Sequence, residues 1–317
     1  MKVLEGDFRH WDRPSTAEGS AVTIGVYDGI HLGHQHVLAE LKRKARSADG
    51  LPSTVLTFDR HPLVVVDPER APRLLTTRQQ KLEQFERLGM DVAAVITFDD
   101  RLRDSSPAQF AADVLVDAVQ ARLVVVGADF RFGRDRAGDV DTLRGLGQSH
   151  GFEVYVVELI GGNDPVSSTT IRRAIARGDV VEAAAALGRF YELRGAVIEG
   201  ERRGALIGFP TANLEIHPDV AVPARGVYVA WASLPDGEPH PAAVNIGVRP
   251  TFGEGRETVE AHLLDWSDDL SRRELRLGFV ERIRDELRFS GVEALVDQIK
   301  RDVEKVRSVL AERPGHG

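Results

Sequence analysis

The chain has 317 residues, 42% hydrophobic and 28% charged, which is the composition of an ordinary soluble protein with room for two domains. A net charge of −8 argues against a general nucleic-acid binder, and the absence of cysteine excludes disulfides and thiolate metal sites. The first residues, M-K-V-L-E-G-D-F-R-H, lack the apolar core of a signal peptide, and no run approaches transmembrane length. A cytoplasmic protein with no membrane partner is the expectation.

The first half alternates strand and helix patterns. Ala21 to Tyr27 is apolar and β-prone and reads as a buried strand, broken by Asp28-Gly29. From Gln35 the pattern is helical, with Val37, Leu38, Leu41 and Ala45 on one face. His31 and His34 therefore stand near the start of a helix that follows a strand. Free backbone N–H groups and the positive end of the helix dipole meet two imidazoles there, an arrangement suited to phosphate. Taken alone, H-x-x-H also fits two surface histidines or part of a metal site, although zinc would lack a third ligand at a usual spacing.

Ser53 to Phe58 is the second strand and runs into D-R-H-P, Asp59 to Pro62. Thr76 to Leu88 reads as a helix capped by Thr76 or Thr77 and ended by Gly89. Asp91 to Phe98 is a third strand, and Ser106-Pro107 opens a helix to about Gln120. Arg122 to Gly127 and Phe152 to Leu159 complete the set. This rhythm predicts a parallel sheet with helices on both faces, which takes ligands beyond the carboxyl ends of its strands. Four loops at those ends carry the unusual residues: Asp28, His31 and His34; His61-Pro62; G-A-D-F-R-F-G-R-D-R-A-G-D from Gly127; and V-S-S-T-T-I-R-R-A-I from Val166. In the last, Ser168 or Thr169 would cap a helix bearing Arg172.

After an alanine-rich helix ending near Leu187, short β-prone runs appear with Gly and Pro between them. They are Leu193 to Ile198, Gly226 to Ser233, Ala242 to Gly247, Val259 to Asp265 and Glu274 to Ile283. No helix pattern intervenes, so an antiparallel barrel or sandwich is expected. An amphipathic helix from Gly291 to Leu310 closes the chain, and the tail E-R-P-G-H-G is expected to fray. G-F-P-T-A-N (Gly208 to Asn213) and N-I-G-V-R-P-T-F (Asn245 to Phe252) are polar segments beside apolar runs. In V-E-A-H-L-L-D-W, Glu260 and His262 share one strand face, and a solvated strand residue is the plainer reading of that carboxylate.

In order, the motifs G-V-Y-D-G-I-H-L-G-H, T-F-D-R-H-P, G-A-D-F-R-F-G, S-S-T-T-I-R, G-F-P-T-A-N, N-I-G-V-R-P-T-F and V-E-A-H-L-L-D resemble those of the bifunctional prokaryotic riboflavin kinase/FAD synthetase family over nearly the whole chain. The resemblance implies a Rossmann-like nucleotidylyltransferase domain, about residues 1–186, that adenylylates FMN. It also implies a β-barrel kinase domain, about 187–317, that phosphorylates riboflavin. Substrates would be riboflavin, FMN and ATP with Mg²⁺, and products FMN and FAD. Departures from the family pattern fall at Val26, Tyr27 (where Phe is usual), Arg60, Ala205 and Ser271-Arg272.

Each chemistry asks for particular groups. A ribityl hydroxyl needs a base, which by resemblance and by chemistry is Glu260. Thr211 and Asn213 offer neutral oxygens for Mg²⁺ against the ATP phosphates, with Gly208 in the same phosphate loop. The FMN phosphate is already largely ionised near neutral pH, so adenylylation needs alignment and charge neutralisation rather than a base. His31 and His34 fit that catalytic role, with Asp28, Gly33, Ser168, Thr169 and Arg172 as further nucleotide contacts. Asp28 either binds Mg²⁺ through water or fixes the turn by hydrogen bonds to backbone. Flavin contacts are expected from Phe58, His61, Asp129 and Arg284, with Phe58 and Phe130 equally suited to a core.

Overall fold

The computed structural model describes residues 1–11, 19–48, 50–158, 166–199, 203–235, 237–248 and 257–313. Six strands form one parallel sheet: β1 (Lys2–Gly6), β2 (Ser20–Ile24), β3 (Ser53–Phe58), β4 (Val92–Ile96), β5 (Ala121–Gly127) and β6 (Glu153–Val157), in the order β1-β4-β3-β2-β5-β6. The chain steps from β2 to β3 and β4 on one side, then returns to place β5 and β6 on the other. That reversal creates a crevice at the carboxyl ends of β2 and β5, where such sheets bind ligands. β1 was not expected, because K-V-L-E-G buries only Leu4 and pairs at the edge with β4. β2 stops at Ile24 rather than Tyr27, since Tyr27 takes a left-handed φ of 51° and the chain has already turned.

Successive strand residues face opposite sides, so each face has its own core. Val22, Leu56 and Ala94 pack with Val114, Leu115 and Leu143. Ala21, Val55 and Ala93 pack on the other face with Leu38, Leu41 and Phe85. The helices on these faces are α1 (Leu32–Ser47), α2 (Leu63–Val66), α3 (Arg78–Arg87), α4 (Asp100–Asp104), α5 (Pro107–Phe110) and α6 (Val140–His150). Thr77 rather than Thr76 caps α3, in a reciprocal pair with Gln80. The helix expected from Ser106 to Gln120 starts as α5 and widens into a π-helical stretch over Ala111–Ala118.

Two compact units divide the chain, Met1–Ser168 and Thr169–Gly317. α7 (Ser168–Arg177) starts at that division and α8 (Val180–Leu187) follows, so the sequence-based boundary at 186/187 falls at the end of α8. The second unit holds a closed antiparallel barrel, β10-β11-β8-β7-β12-β9, made of β7 (Tyr191–Ile198), β8 (Ala212–Ile216), β9 (Gly226–Ser233), β10 (His240–Val248), β11 (Glu257–Leu263) and β12 (Glu274–Arg284). A short α9 (Arg203–Leu206) lies between β7 and β8, where no helix was expected, and β8 itself was missed. Val259, Ala261 and Leu263 are buried inside the barrel with Leu214, Val244 and Tyr228. α10 (Val292–Glu312) covers part of the outer face, setting Val306, Val309 and Leu310 against Val229, Leu264 and Val280. Among the described residues no helix is long and apolar enough to cross a membrane. Arg249 to Phe252 of one sequence motif, Leu159 of the fifth strand and the tail from Pro314 on lie outside the described residues.

Candidate active sites

The turn after β2 is tied down from several directions. Asp28, 3% exposed, accepts hydrogen bonds from the Leu75 N–H at 2.9 and 3.1 Å and from the Thr76 N–H at 3.2 Å. Asp28 thus fixes backbone, and that backbone belongs to a segment distant in sequence. The Ser168 hydroxyl donates to the Asp28 carbonyl at 2.9 Å instead of capping α7, and Ser168 is itself the first residue of that helix. Thr169 follows on α7 and is exposed, and Arg172 is half-buried one turn further on.

His31 is the N-cap of α1: its Nδ1 accepts the His34 N–H at 3.4 Å. The two imidazoles stack with centroids 3.7 Å apart, and the Tyr27 ring lies 4.9 Å from His34. A Cβ at Gly33 would come within 3.2 Å of the His31 ring, a tight contact that the ring would have to shift to relieve. Burial, and after it the charges of His31 and Lys81, pushes the His34 imidazole well below its ordinary range. His34 is thus neutral at physiological pH, and its Nδ1 is buried with no hydrogen-bond partner. Beside these histidines stands a buried cation, Lys81. Its ammonium donates to the carbonyls of Val26 and Phe58 and to the Thr57 hydroxyl.

The remaining expected contacts of this unit are dispersed among the neighbouring strand ends. Phe58 ends β3, is 9% exposed and packs edge-on against Phe98 at 5.3 Å, so the structure gives it a core role. His61 is half-buried and accepts the Leu63 N–H at 3.2 Å. Asp129 is exposed in the turn after β5, and the Phe130 ring stacks on Phe132 at 5.4 Å.

In the barrel, register assembles the second site. Glu260 on β11 stands directly between Asn213 on β8 and Asn245 on β10, and that row continues through Val227 on β9 to Arg284 on β12. Directly paired residues share a face, so this row lies on the outer face of the sheet at one end of the barrel. The Gly208–Asn213 loop meets it. Gly208 has a φ of 86°, which a side chain would strain. His262, two residues along from Glu260, holds the Pro210 carbonyl through Nδ1 at 2.8 Å and the Phe209 ring edge-on at 5.5 Å. Thr211 is exposed, whereas Asn213 is 7% exposed. Arg284 is engaged elsewhere: its Nη2 and Nε reach Asp302 on α10 at 2.7 and 3.1 Å, and Nη1 reaches the Asp285 carbonyl. Among the described residues no group of three or more His, Asp or Glu converges as a metal centre.

Two family models match the chain, FAD synthetase over residues 13–170 and riboflavin kinase over residues 187–310. The bifunctional riboflavin kinase/FMN adenylyltransferase of Pseudomonas fluorescens is 40% identical over 298 residues, covering 92% of this chain and 94% of that protein. Its Escherichia coli K12 counterpart is 35% identical over 303 residues, covering 95% and 96%. The chain belongs to the bifunctional riboflavin kinase/FMN adenylyltransferase family. A crystal structure described as a macrolide-efflux protein from Streptococcus pneumoniae superposes with a TM-score of 0.87 at 29% identity, covering 97% of this chain and 99% of that one. The likeness of fold thus extends over both units of this family member.

Several residues of this riboflavin kinase/FMN adenylyltransferase escaped the sequence reading. Thr76 looked like a helix cap and is instead part of the clamp on Asp28. His262 was noticed only as sharing a strand face with Glu260. Lys81 had a signal that could have been used: it shares the buried register of α3 with Phe85, four residues on, where a charged residue is out of place.

Proposed function

We propose that this family member makes FMN at the outer end of the barrel and FAD at the carboxyl edge of the parallel sheet. The observation that carries the first assignment is the placement of Glu260 between Asn213 and Asn245, at the end of the barrel that receives the Gly208–Asn213 loop. Glu260 takes the proton of the riboflavin 5′-hydroxyl as its oxygen bonds to the γ-phosphorus of ATP and the bond to ADP breaks. Thr211 and Asn213 are neutral oxygen donors, the type that holds Mg²⁺ together with phosphate and water. When bound there, Mg²⁺ would screen the charge of the ATP phosphates. Exposed Ile198 and Leu287 end or follow strands at this end of the barrel and offer apolar surface for the flavin ring.

For FAD, an FMN phosphate oxygen attacks the α-phosphorus of ATP and pyrophosphate leaves. The α1 N-terminus and His31 and His34 receive the phosphates, and Gly33 lets them approach the backbone. Ser168, Thr169 and Arg172 are assigned to the far side of the triphosphate. His61 and Asp129 are assigned to the flavin, and Asp28 acts by shaping the turn. The catalytic boundary is placed at 186/187. Purified protein given riboflavin, ATP and Mg²⁺ should yield FAD, with FMN as the intermediate seen by chromatography. Glu260→Gln should stop FMN formation by about a hundredfold or more while FMN is still adenylylated. Replacing His31 and His34 together should do the reverse, and unchanged product patterns in either variant would overturn the corresponding assignment.

A further inference from the structure

Lys81 is a buried charge that packing alone does not require. The residue is 9% exposed, in the register of α3 that faces the sheet, and methionine would fill the same space without the cost of dehydrating an ammonium. Its acceptors are all uncharged: the Val26 carbonyl at 3.2 Å, the Phe58 carbonyl at 3.2 Å and the Thr57 hydroxyl at 3.3 Å. These belong to the carboxyl ends of two adjacent strands. Val26 lies between β2 and the turn that carries Asp28, His31 and His34. Phe58 is the last residue of β3 and leads to His61. One ammonium thus joins the phosphate side of the crevice to its other wall.

We propose that Lys81 is a positioning residue for FMN adenylylation, fixing the ends of β2 and β3 against each other and holding the buried positive charge of the crevice. The proposal rests on the assignment of FAD formation to this crevice. The charged and titratable groups around the ammonium are Asp28, Asp59, Arg78 and His34. Both carboxylates are already engaged elsewhere: Asp28 with the Leu75 and Thr76 N–H groups, and Asp59 with the Phe98 N–H at 2.9 Å and the Arg60 guanidinium at 2.9 Å. Neither can replace the ammonium's contacts to the strand ends, and neither pairs directly with it. Burial brings the Lys81 pKa down to about 8, so its charge is lost only above neutral pH.

The test needs the intact enzyme and three measurements. In the wild type, kcat/KM for FAD formation reports the free enzyme and should fall as pH rises through about 8, whereas a flat profile from about pH 7 to 9.5 would overturn the proposal. In Lys81→Met, kcat/KM for FAD formation at pH 7 should drop by about tenfold or more, with the alkaline fall gone from the residual activity and riboflavin phosphorylation within about twofold of wild type. Full FAD formation in that variant, or loss that retains the alkaline fall, would also overturn it. Should the variant's first unit fail to fold by circular dichroism, the wild-type profile alone decides. The variant lacking both His31 and His34 separates the two levels: if it still makes FAD at the normal rate, the crevice assignment fails rather than the role of Lys81 within it.

Discussion

Asp28 and Thr76 hold each other's segments in both directions: the Thr76 N–H donates to Asp28 Oδ1 at 3.2 Å, and the Thr76 hydroxyl accepts the Gly29 N–H at 3.1 Å. Asp28→Ala would leave the buried N–H groups of Leu75 and Thr76 without acceptors, each at a cost of about 1–3 kcal/mol. We expect the thermal transition of the first unit to fall and FAD formation to fall with it. Asp28→Asn keeps one carbonyl acceptor and should recover part of both. Riboflavin phosphorylation in the same samples should not change.

His34 makes the first unit sensitive to acid. Its imidazole titrates well below 6.5 when folded and near 6.5 when unfolded, so below about pH 6.5 the unfolded chain binds the extra proton first. The stability tied to a neutral His34 is complete above that pH and is lost as pH falls toward the folded value. Calorimetry from pH 7.5 to 5 should show the first unit's transition moving down, and His34→Phe should flatten that slope. An unchanged slope in the variant would mean that other groups carry the acid sensitivity.

His262 should matter to FMN formation without touching the flavin. It supplies one hydrogen bond to Pro210 and an edge-on ring contact to Phe209, and so sets the entry to Thr211 and Asn213. Losing a single neutral hydrogen bond is worth about 1 kcal/mol. His262→Ala should therefore raise the KM for ATP in riboflavin phosphorylation by roughly fivefold to tenfold, with kcat reduced less. His262→Asn, whose amide nitrogen reaches about where Nδ1 stands, should restore most of the loss.

Asp302 is 4% exposed on α10 and accepts from Arg284 and, at 2.9 Å, from Gln298. Removing one partner of a buried pair strands the other charge, which typically costs about 3–5 kcal/mol. Arg284 is 18% exposed at its side chain and retains the Asp285 carbonyl, so the lower end is expected for Asp302→Ala in denaturant unfolding. A change below about 1 kcal/mol would show that α10 is held by Val306, Val309 and Leu310 alone.

Much of this architecture was legible because its signals are local. The alternation of apolar runs and helices announced the parallel sheet, and the histidines after the first strand marked the crevice. What escaped depends on pairing between distant segments. β8 was hidden because A-N-L-E-I is short and begins inside a motif that reads as a polar loop, and only register with β11 makes it a strand. Glu260 was ambiguous for the same reason, since nothing in V-E-A-H says that Asn213 and Asn245 stand beside it. Arg284 was expected to face a ligand, but its bond to a carboxylate 18 residues later on α10 could not be read from either segment. Lys81 went unremarked, as one charged residue among several on a helix of the kind that usually faces water.

The buried hydroxyl pair of Thr23 and Tyr27, 2.7 Å apart, bears on how this chain can vary. Thr23 and Tyr27 are both buried, and each hydroxyl has the other as its partner. Loss of the phenol alone strands the threonine, and loss of the threonine alone strands the phenol, so each single change passes through a less stable protein. The two positions therefore behave as one unit, and a substitution that removes either hydroxyl is borne best when the other is removed with it.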